Sequence, residues 1–140
     1  MNMSHYEAIH HLLANYCFIV DRASATEMAD LFWEDATLDF AGEVYEGRDA
    51  IYDVYATWIT EKRDPVVGLR HILYTPSIEV SGTSAVAETY YDADGHSKDS
   101  GRYIRLRGLY RDRLELRNAE WRFLSREVQT WQVPFDRKKS

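Results

Sequence analysis

The chain is short of the features that would place it in several broad classes. Cys17 is its only cysteine, which excludes an internal disulfide, and its place in the apolar stretch Ala14 to Val20 marks it as an inert packed thiol. No stretch approaches the roughly 20 apolar residues of a membrane-spanning helix. The start, MNMSHYEAIHHLL, lacks the basic segment and apolar run of a secretory leader. Basic residues are outnumbered, 17 against 23 acidic, and a net charge of −6 repels a phosphate backbone. No HExxH, phosphate-binding glycine loop, GxGxxG or GxSxG is present, and His10 and His11 diverge because they are adjacent on a helix. The expectation is a cytoplasmic protein with no metal, no organic cofactor, no nucleic-acid partner and no membrane partner.

What is present suits a packed interior. In 140 residues, 45% apolar and 14% aromatic, ten Tyr and four Trp predict one domain over 1–140 with an aromatic-lined core. Ser4 and Glu7 form a capping-box pattern, and Ile9, Leu13, Tyr16 and Val20 follow at helical spacing, so a first helix runs from about Ser4 to Asp21. Ser24 and Glu27 repeat the pattern ahead of Met28, Leu31 and Phe32, a short second helix. Two short strands, ATLDF and VYEG, turn at Ala41 and Gly42. Arg48 to Lys62 is a third amphipathic helix carrying Ile51, Val54, Tyr55 and Trp58.

The remainder alternates as strands over about Leu69 to Val80, Ser84 to Asp92, Arg102 to Leu116 and Trp121 to Trp131. Turns are expected at Ser81–Gly82, Asp94–Gly95 and Arg117–Asn118. The tail PFDRKKS is polar enough to fray. Helices followed by long antiparallel strands predict an α+β fold with the helices on one face of a curved sheet.

Several polar residues interrupt segments that otherwise read as core. Tyr16 lies on the buried stripe of the first helix, so its hydroxyl needs a partner. Asp21 ends the same helix, where the dipole disfavours a carboxylate, which implies another demand on it. Its natural partner is His71, because an imidazole held by a carboxylate is tuned to accept a proton near neutral pH. Five residues turn a helix by about 140°, so Tyr16 and Asp21 reach one cavity only if Asp21 lies at a frayed end. Asp112 shares the apolar parity of Leu106, Gly108, Tyr110 and Leu114. Arg126 interrupts the apolar parity of Leu124 and Val128 and must meet a carboxylate, a carbonyl-rich niche or an anionic ligand. Trp33, Phe40, Trp58 and Tyr90, with Asp112, are the side chains expected to shape a pocket and bind substrate. Tyr103, Leu109 and several Arg on the outward strand face suit a subunit contact, hence a homo-dimer or homo-trimer.

The runs YCFIVDRASATEMADLFWEDATLDF, VYEGRDAI, LRHILY, GLYRDRLEL and EWRFLSREVQTW, in that order, resemble the SnoaL-like branch of the nuclear transport factor 2-like (NTF2-like) superfamily over about residues 5 to 131. The resemblance implies a cone of curved antiparallel sheet, capped by three helices around a deep pocket. Dehydrochlorinases, scytalone dehydratase and bile-acid dehydratases of that superfamily pair an Asp with a His in eliminations, and Asp21 and His71 fall at those positions. Arg126 matches a pocket arginine of the dehydrochlorinase and bile-acid dehydratase types. Tyr16 matches the tyrosine of the bile-acid type, where the dehydrochlorinase has a lysine, which argues against chloride as leaving group. Ketosteroid isomerases resemble the chain at Tyr16 and Asp112, but their catalytic carboxylate would fall at Phe40. The implied function is a cofactor-free lyase, a dehydratase acting on a small hydrophobic ring, polyketide-like or steroid-like substrate. Isomerase or polyketide cyclase is the alternative within the fold, and a non-catalytic small-molecule-binding or assembly protein is the alternative outside enzymes.

Overall fold

A computed structural model describes residues 3–132, so the tail expected to fray lies outside the described residues. Helix α1 spans His5–Arg22; the Ser4 side chain accepts from the Glu7 amide at its start, and it buries Ile9, Leu12, Leu13, Tyr16, Cys17 and Val20. Helix α2, Ala25–Ala29, opens on the Ser24–Glu27 capping box. It is shorter than its apolar pattern suggests, because Phe32 instead begins strand β1, Phe32–Phe40. Strand β2, Glu43–Glu46, completes a hairpin, and helix α3, Arg48–Trp58, follows. The predicted single helix to Lys62 changes at Ile59: residues Ile59–Arg63 form a π turn, closed by the Asp64 amide donating to the Ile59 carbonyl at 2.8 Å.

Strands β3 (Val66–Leu73), β4 (Ser77–Ser81), β5 (Ser84–Ser97), β6 (Tyr103–Arg117) and β7 (Glu120–Gln132) complete one seven-stranded sheet. Its order is β2-β1-β7-β6-β5-β3, with β4 also on β5. The sheet is mixed, since β1 runs parallel to β7, while the other pairs are antiparallel. The strand expected from Leu69 to Val80 is divided around Pro76, which has no amide hydrogen to give to a ladder.

Asp94–Gly95 is not a turn. Both residues lie inside β5, with Gly95 opposite Ile104 of β6. A Cβ at Gly95 would collide with the Val66 side chain and come 3.1 Å from the Val67 carbonyl oxygen, so this glycine permits close approach of β3. Gly108 on β6 serves likewise: a Cβ there would lie 2.6 Å from the Tyr91 ring, which packs across the strand.

The helices cover one face of the sheet, where Ala85, Ala87, Tyr91 and Ala93 of β5 meet Tyr110 and Leu114 of β6 and Phe123 and Val128 of β7. A β-bulge at Leu124 governs this face. Leu114 is opposite Phe123 and Arg113 is opposite Ser125, which leaves Leu124 as the extra residue. Trp121 and Phe123 therefore point inward before the bulge, and Arg126 and Val128 after it. The parity expected for Leu124, Arg126 and Val128 is thus broken at Leu124, which is only half-buried.

Candidate active site

Two polar clusters form around the residues singled out by sequence. The first joins α1 to β3. Asp21 lies in the last turn of α1, which stays regular to Arg22. Its Oδ2 accepts the His71 backbone amide at 3.1 Å and its Oδ1 lies 2.6 Å from His71 Nδ1. The side chains are 13% (Asp21) and 9% (His71) exposed, so the pair sits at the rim of the interior. A carboxylate is an acceptor only, so the contact requires the proton on Nδ1, and in the neutral imidazole Nε2 then carries the lone pair. Nε2 has no hydrogen-bond partner among the described residues. The ring stacks on Tyr91, centroids 5.8 Å apart, and Trp58 of α3 leans on it at 6.2 Å.

The second cluster is sealed. Arg126 on β7 and Asp112 on β6 are cross-strand partners, and both side chains are fully buried. Arg126 Nη2 donates to Asp112 Oδ2 at 3.3 Å; Nε lies 2.9 Å from Oδ1 but is misaligned for a hydrogen bond, so the contact is chiefly an ion pair. Arg126 Nη1 has no hydrogen-bond acceptor among the described residues. Its guanidinium carbon lies 3.8 Å from the Tyr110 ring centroid, 4.0 Å from that of Tyr16 and 4.4 Å from that of Phe123. Burial pushes the Asp112 carboxyl up to about 7 against the pull of Arg126.

Tyr16 belongs to this second cluster. Its hydroxyl lies 2.6 Å from that of Tyr55, a residue of α3. Burial raises Tyr16 to about 12, with Arg126 and the Tyr55 hydrogen bond pulling it down, and burial drives Tyr55 well above the ordinary tyrosine value. Since α1 does not fray before Asp21, Tyr16 and Asp21 address different neighbours, as a separation of about 140° around the helix requires. What connects the clusters is a row of rings: His71 on Tyr91, Tyr91 stacked on Tyr110 at 4.2 Å, and Tyr110 edge-on to Tyr16 at 5.6 Å.

The aromatic residues expected around a pocket divide. Phe40 and Trp58 line a cleft of about 420 Å³ between the β1–β2 hairpin and α3, together with Tyr45, Val54 and Asp53. Trp58 is thus shared between this cleft and the His71 ring. Trp33 lies elsewhere: its indole donates to the Glu115 carbonyl at 2.8 Å, and Arg117 and Arg122 pack over its ring. Tyr90 is 61% exposed on the outer face of β5, one residue out of phase with inward Tyr91. Neither contacts the two clusters. Asp112, expected to meet substrate, is turned to Arg126.

Three contributors escaped the sequence reading. Tyr91 shares the inward parity of Ala85, Ala87 and Ala93, a signal that was available. Tyr55 was visible only as a member of an apolar stripe. Arg63 donates through Nη1 to the Val20 carbonyl at 3.1 Å and the Ala23 carbonyl at 2.7 Å, partners no local pattern announces. Cys17 is buried, and burial pushes its thiol up to about 11, an unreactive state. Among the described residues no group of three or more His, Cys, Asp or Glu is placed to hold a metal ion, and no helix is long and apolar enough to cross a membrane.

Residues 1–127 match the SnoaL-like domain. The chain belongs to the SnoaL-like family. No curated protein matches its sequence. Among solved structures, this SnoaL-like domain is similar to a protein of unknown function from Mycobacterium tuberculosis, at 25% identity and TM-score 0.78 over 91% of this chain and 72% of that one. A protein provisionally assigned as a scytalone dehydratase from Novosphingobium aromaticivorans DSM 12444 matches at 24% identity and TM-score 0.78, over 94% and 89%. A hexachlorocyclohexane dehydrochlorinase, LinA type 2, matches at 19% identity and TM-score 0.77, over 95% and 90%. These last two likenesses are of fold, and an NTF2-like protein with a cystatin-like fold from Novosphingobium aromaticivorans shares that fold at 23% identity and TM-score 0.72 over 88% of this chain and 79% of that one. The fold thus includes proteins named for eliminations.

Proposed function

We propose that this SnoaL-like domain is a cofactor-free lyase that dehydrates a small hydrophobic ring, polyketide-like or steroid-like alcohol. The observation that carries the reading is the 2.6 Å contact between His71 Nδ1 and Asp21 Oδ1, with Nε2 unengaged. His71 Nε2 takes a carbon-bound proton, and the C–H electron pair becomes the new C=C bond as the neighbouring C–O bond breaks. Asp21 orients the ring and stabilises the imidazolium that results. The departing oxygen takes its proton from solvent and leaves as water, and the imidazolium proton passes to solvent in turn. Tyr16, buried with its hydroxyl 2.6 Å from that of Tyr55, lies beyond the Tyr91 and Tyr110 rings and does not reach the departing group. Arg126, fully buried on the Tyr16, Tyr110 and Phe123 rings, holds that sealed core together and does not touch the reacting atoms.

A pocket that only binds has no need of an imidazole hydrogen-bonded to an acid, so the pair favours chemistry over simple binding. An isomerase of the ketosteroid type would have Tyr16 and a protonated Asp112 share an oxyanion. Here the Asp112 carboxyl is sealed against Arg126 and has no hydrogen bond to Tyr16 among the described residues, which favours elimination. The names of the dehydratase and dehydrochlorinase relatives agree with that reaction class.

The test is conversion of a panel of hydrophobic cyclic β-hydroxy ketones, followed by the absorbance of the conjugated product. General base catalysis contributes about a hundred- to ten-thousand-fold, and His71→Ala is expected to lose a factor in that range. Near-full turnover in that variant would overturn the assignment. Rearranged product without loss of water would move the domain to the isomerases, and saturable binding without turnover would make it a binding protein.

A further inference from the structure

Asp21 accepts twice from one residue, through Oδ2 from the His71 amide and through Oδ1 from the imidazole. Both contacts hold only while the end of α1 keeps a fixed rotation and distance relative to β3. That end carries two liabilities: its last carbonyls lack partners within the helix, and a carboxylate there meets the negative end of the helix dipole.

Arg63 answers both. Its Nη1 donates to the Val20 and Ala23 carbonyls, which flank Asp21 on either side in sequence. Its positive charge lies at the end of the helix where cations are favoured. The π turn carries it there: Arg63 is its last residue, and the wider turn from Ile59 shifts it from the phase an uninterrupted α-helix would give it. At the other end of α3, Arg48 plays a comparable anchoring part, donating through Nε at 3.2 Å and Nη2 at 3.1 Å to the Phe32 carbonyl, with no contact to α1's end.

We infer that Arg63 is a positioning residue for the Asp21–His71 pair, holding the end of α1 so that the carboxylate meets both His71 donors. Its consequence for turnover rests on the elimination reading; its consequence for the hydrogen bonds does not.

The experiment is proton NMR of the whole chain with nitrogen-labelled histidine. The Nδ1 proton of His71 is assigned by its loss in His71→Gln, and exchange of the His71 amide with solvent is measured alongside. In Arg63→Ala the Nδ1 resonance is expected to move upfield or broaden, and the His71 amide to exchange about tenfold faster or more, a factor equivalent to about 1.4 kcal/mol. Arg63→Lys, which keeps the charge and one donor, recovers part of both signals. Arg48→Ala lowers thermal stability but leaves both where they are in the parent. If Arg63→Ala does not fold, Arg63→Gln is read by the same two signals. Unchanged signals in a folded Arg63 variant, or an equal change in Arg48→Ala, would overturn the inference. Where turnover is measurable, Arg63→Ala lowers kcat with KM little changed. A protein that catalyses nothing yet shows the NMR changes would sink the elimination reading and leave the positioning role standing.

Discussion

Asp21–His71 and Asp112–Arg126 are both acid–base pairs on the helix-covered side of one sheet, yet they differ in exposure and in the chemistry of their basic member. The first is at the rim, 13% and 9% exposed, and one nitrogen of its imidazole stays unengaged among the described residues. The second has no exposed side-chain surface, and its cation is a guanidinium that does not give up its proton. The difference teaches that an acid and a base in contact are not by themselves a catalytic pair. What decides is whether the base can exchange a proton and whether a lone pair remains free.

The sharpest way to break this comparison is Asp21→Asn. The amide reverses the demand on Nδ1, so turnover is expected to fall by about a hundred- to ten-thousand-fold, read in the β-hydroxy ketone assay, while urea denaturation changes little. Equal loss of stability would mean that the rim pair is structural like the sealed one.

Next in size is Asp112→Ala, which leaves Arg126 charged and alone in the interior. A loss of about 3–5 kcal/mol is expected in urea denaturation. Arg126→Met is expected to cost less, because the stranded Asp112 carboxyl can take up a proton whereas a guanidinium cannot lose one. The reverse order would show that the two members do not differ in this way.

The same group sets a dependence on pH. Asp112 is raised from 3.8 to about 7 in the folded protein, so between these values the folded state holds the proton that the unfolded state has released. Stability from this group therefore declines as pH rises from about 4 to about 7 and is level above that. Denaturation midpoints across this window, compared between the parent and Asp112→Asn, test the sign; an identical slope in both would assign it to other groups. The smallest effect belongs to Trp33→Phe, which removes the hydrogen bond to the Glu115 carbonyl. About 1 kcal/mol of stability is expected to go, with turnover unchanged. A change in KM would return Trp33 to the site.

Much of the fold was legible because its signals are local. Capping boxes at Ser4 and Ser24, period-2 burial along β6 and the order of helices and strands each depend on neighbours a few residues away. Of the candidate site, Asp112 was placed inward by parity alone, and Asp21 stood out because a helix C-terminus disfavours it. Tyr90 shows how parity fails without register: a shift of one residue exchanges it with Tyr91, and the sequence offers a tyrosine at both positions. Gly95 was read as a turn because glycine permits turns, but the same lack of a side chain also permits a neighbouring strand to approach.

By itself, then, the sequence determined which groups were available: an aspartate ending a helix, a histidine on a strand, a tyrosine on a core stripe, an arginine and an aspartate on long strands. Only the tertiary structure decided how they pair. The bulge at Leu124 carries Arg126 inward to Asp112, and β3 brings His71 to Asp21 fifty residues away in sequence. The π turn sends Arg63 back to the end of α1. Burial and partnership are properties of contacts between distant segments, and those contacts set which pair is sealed and which lies at the rim.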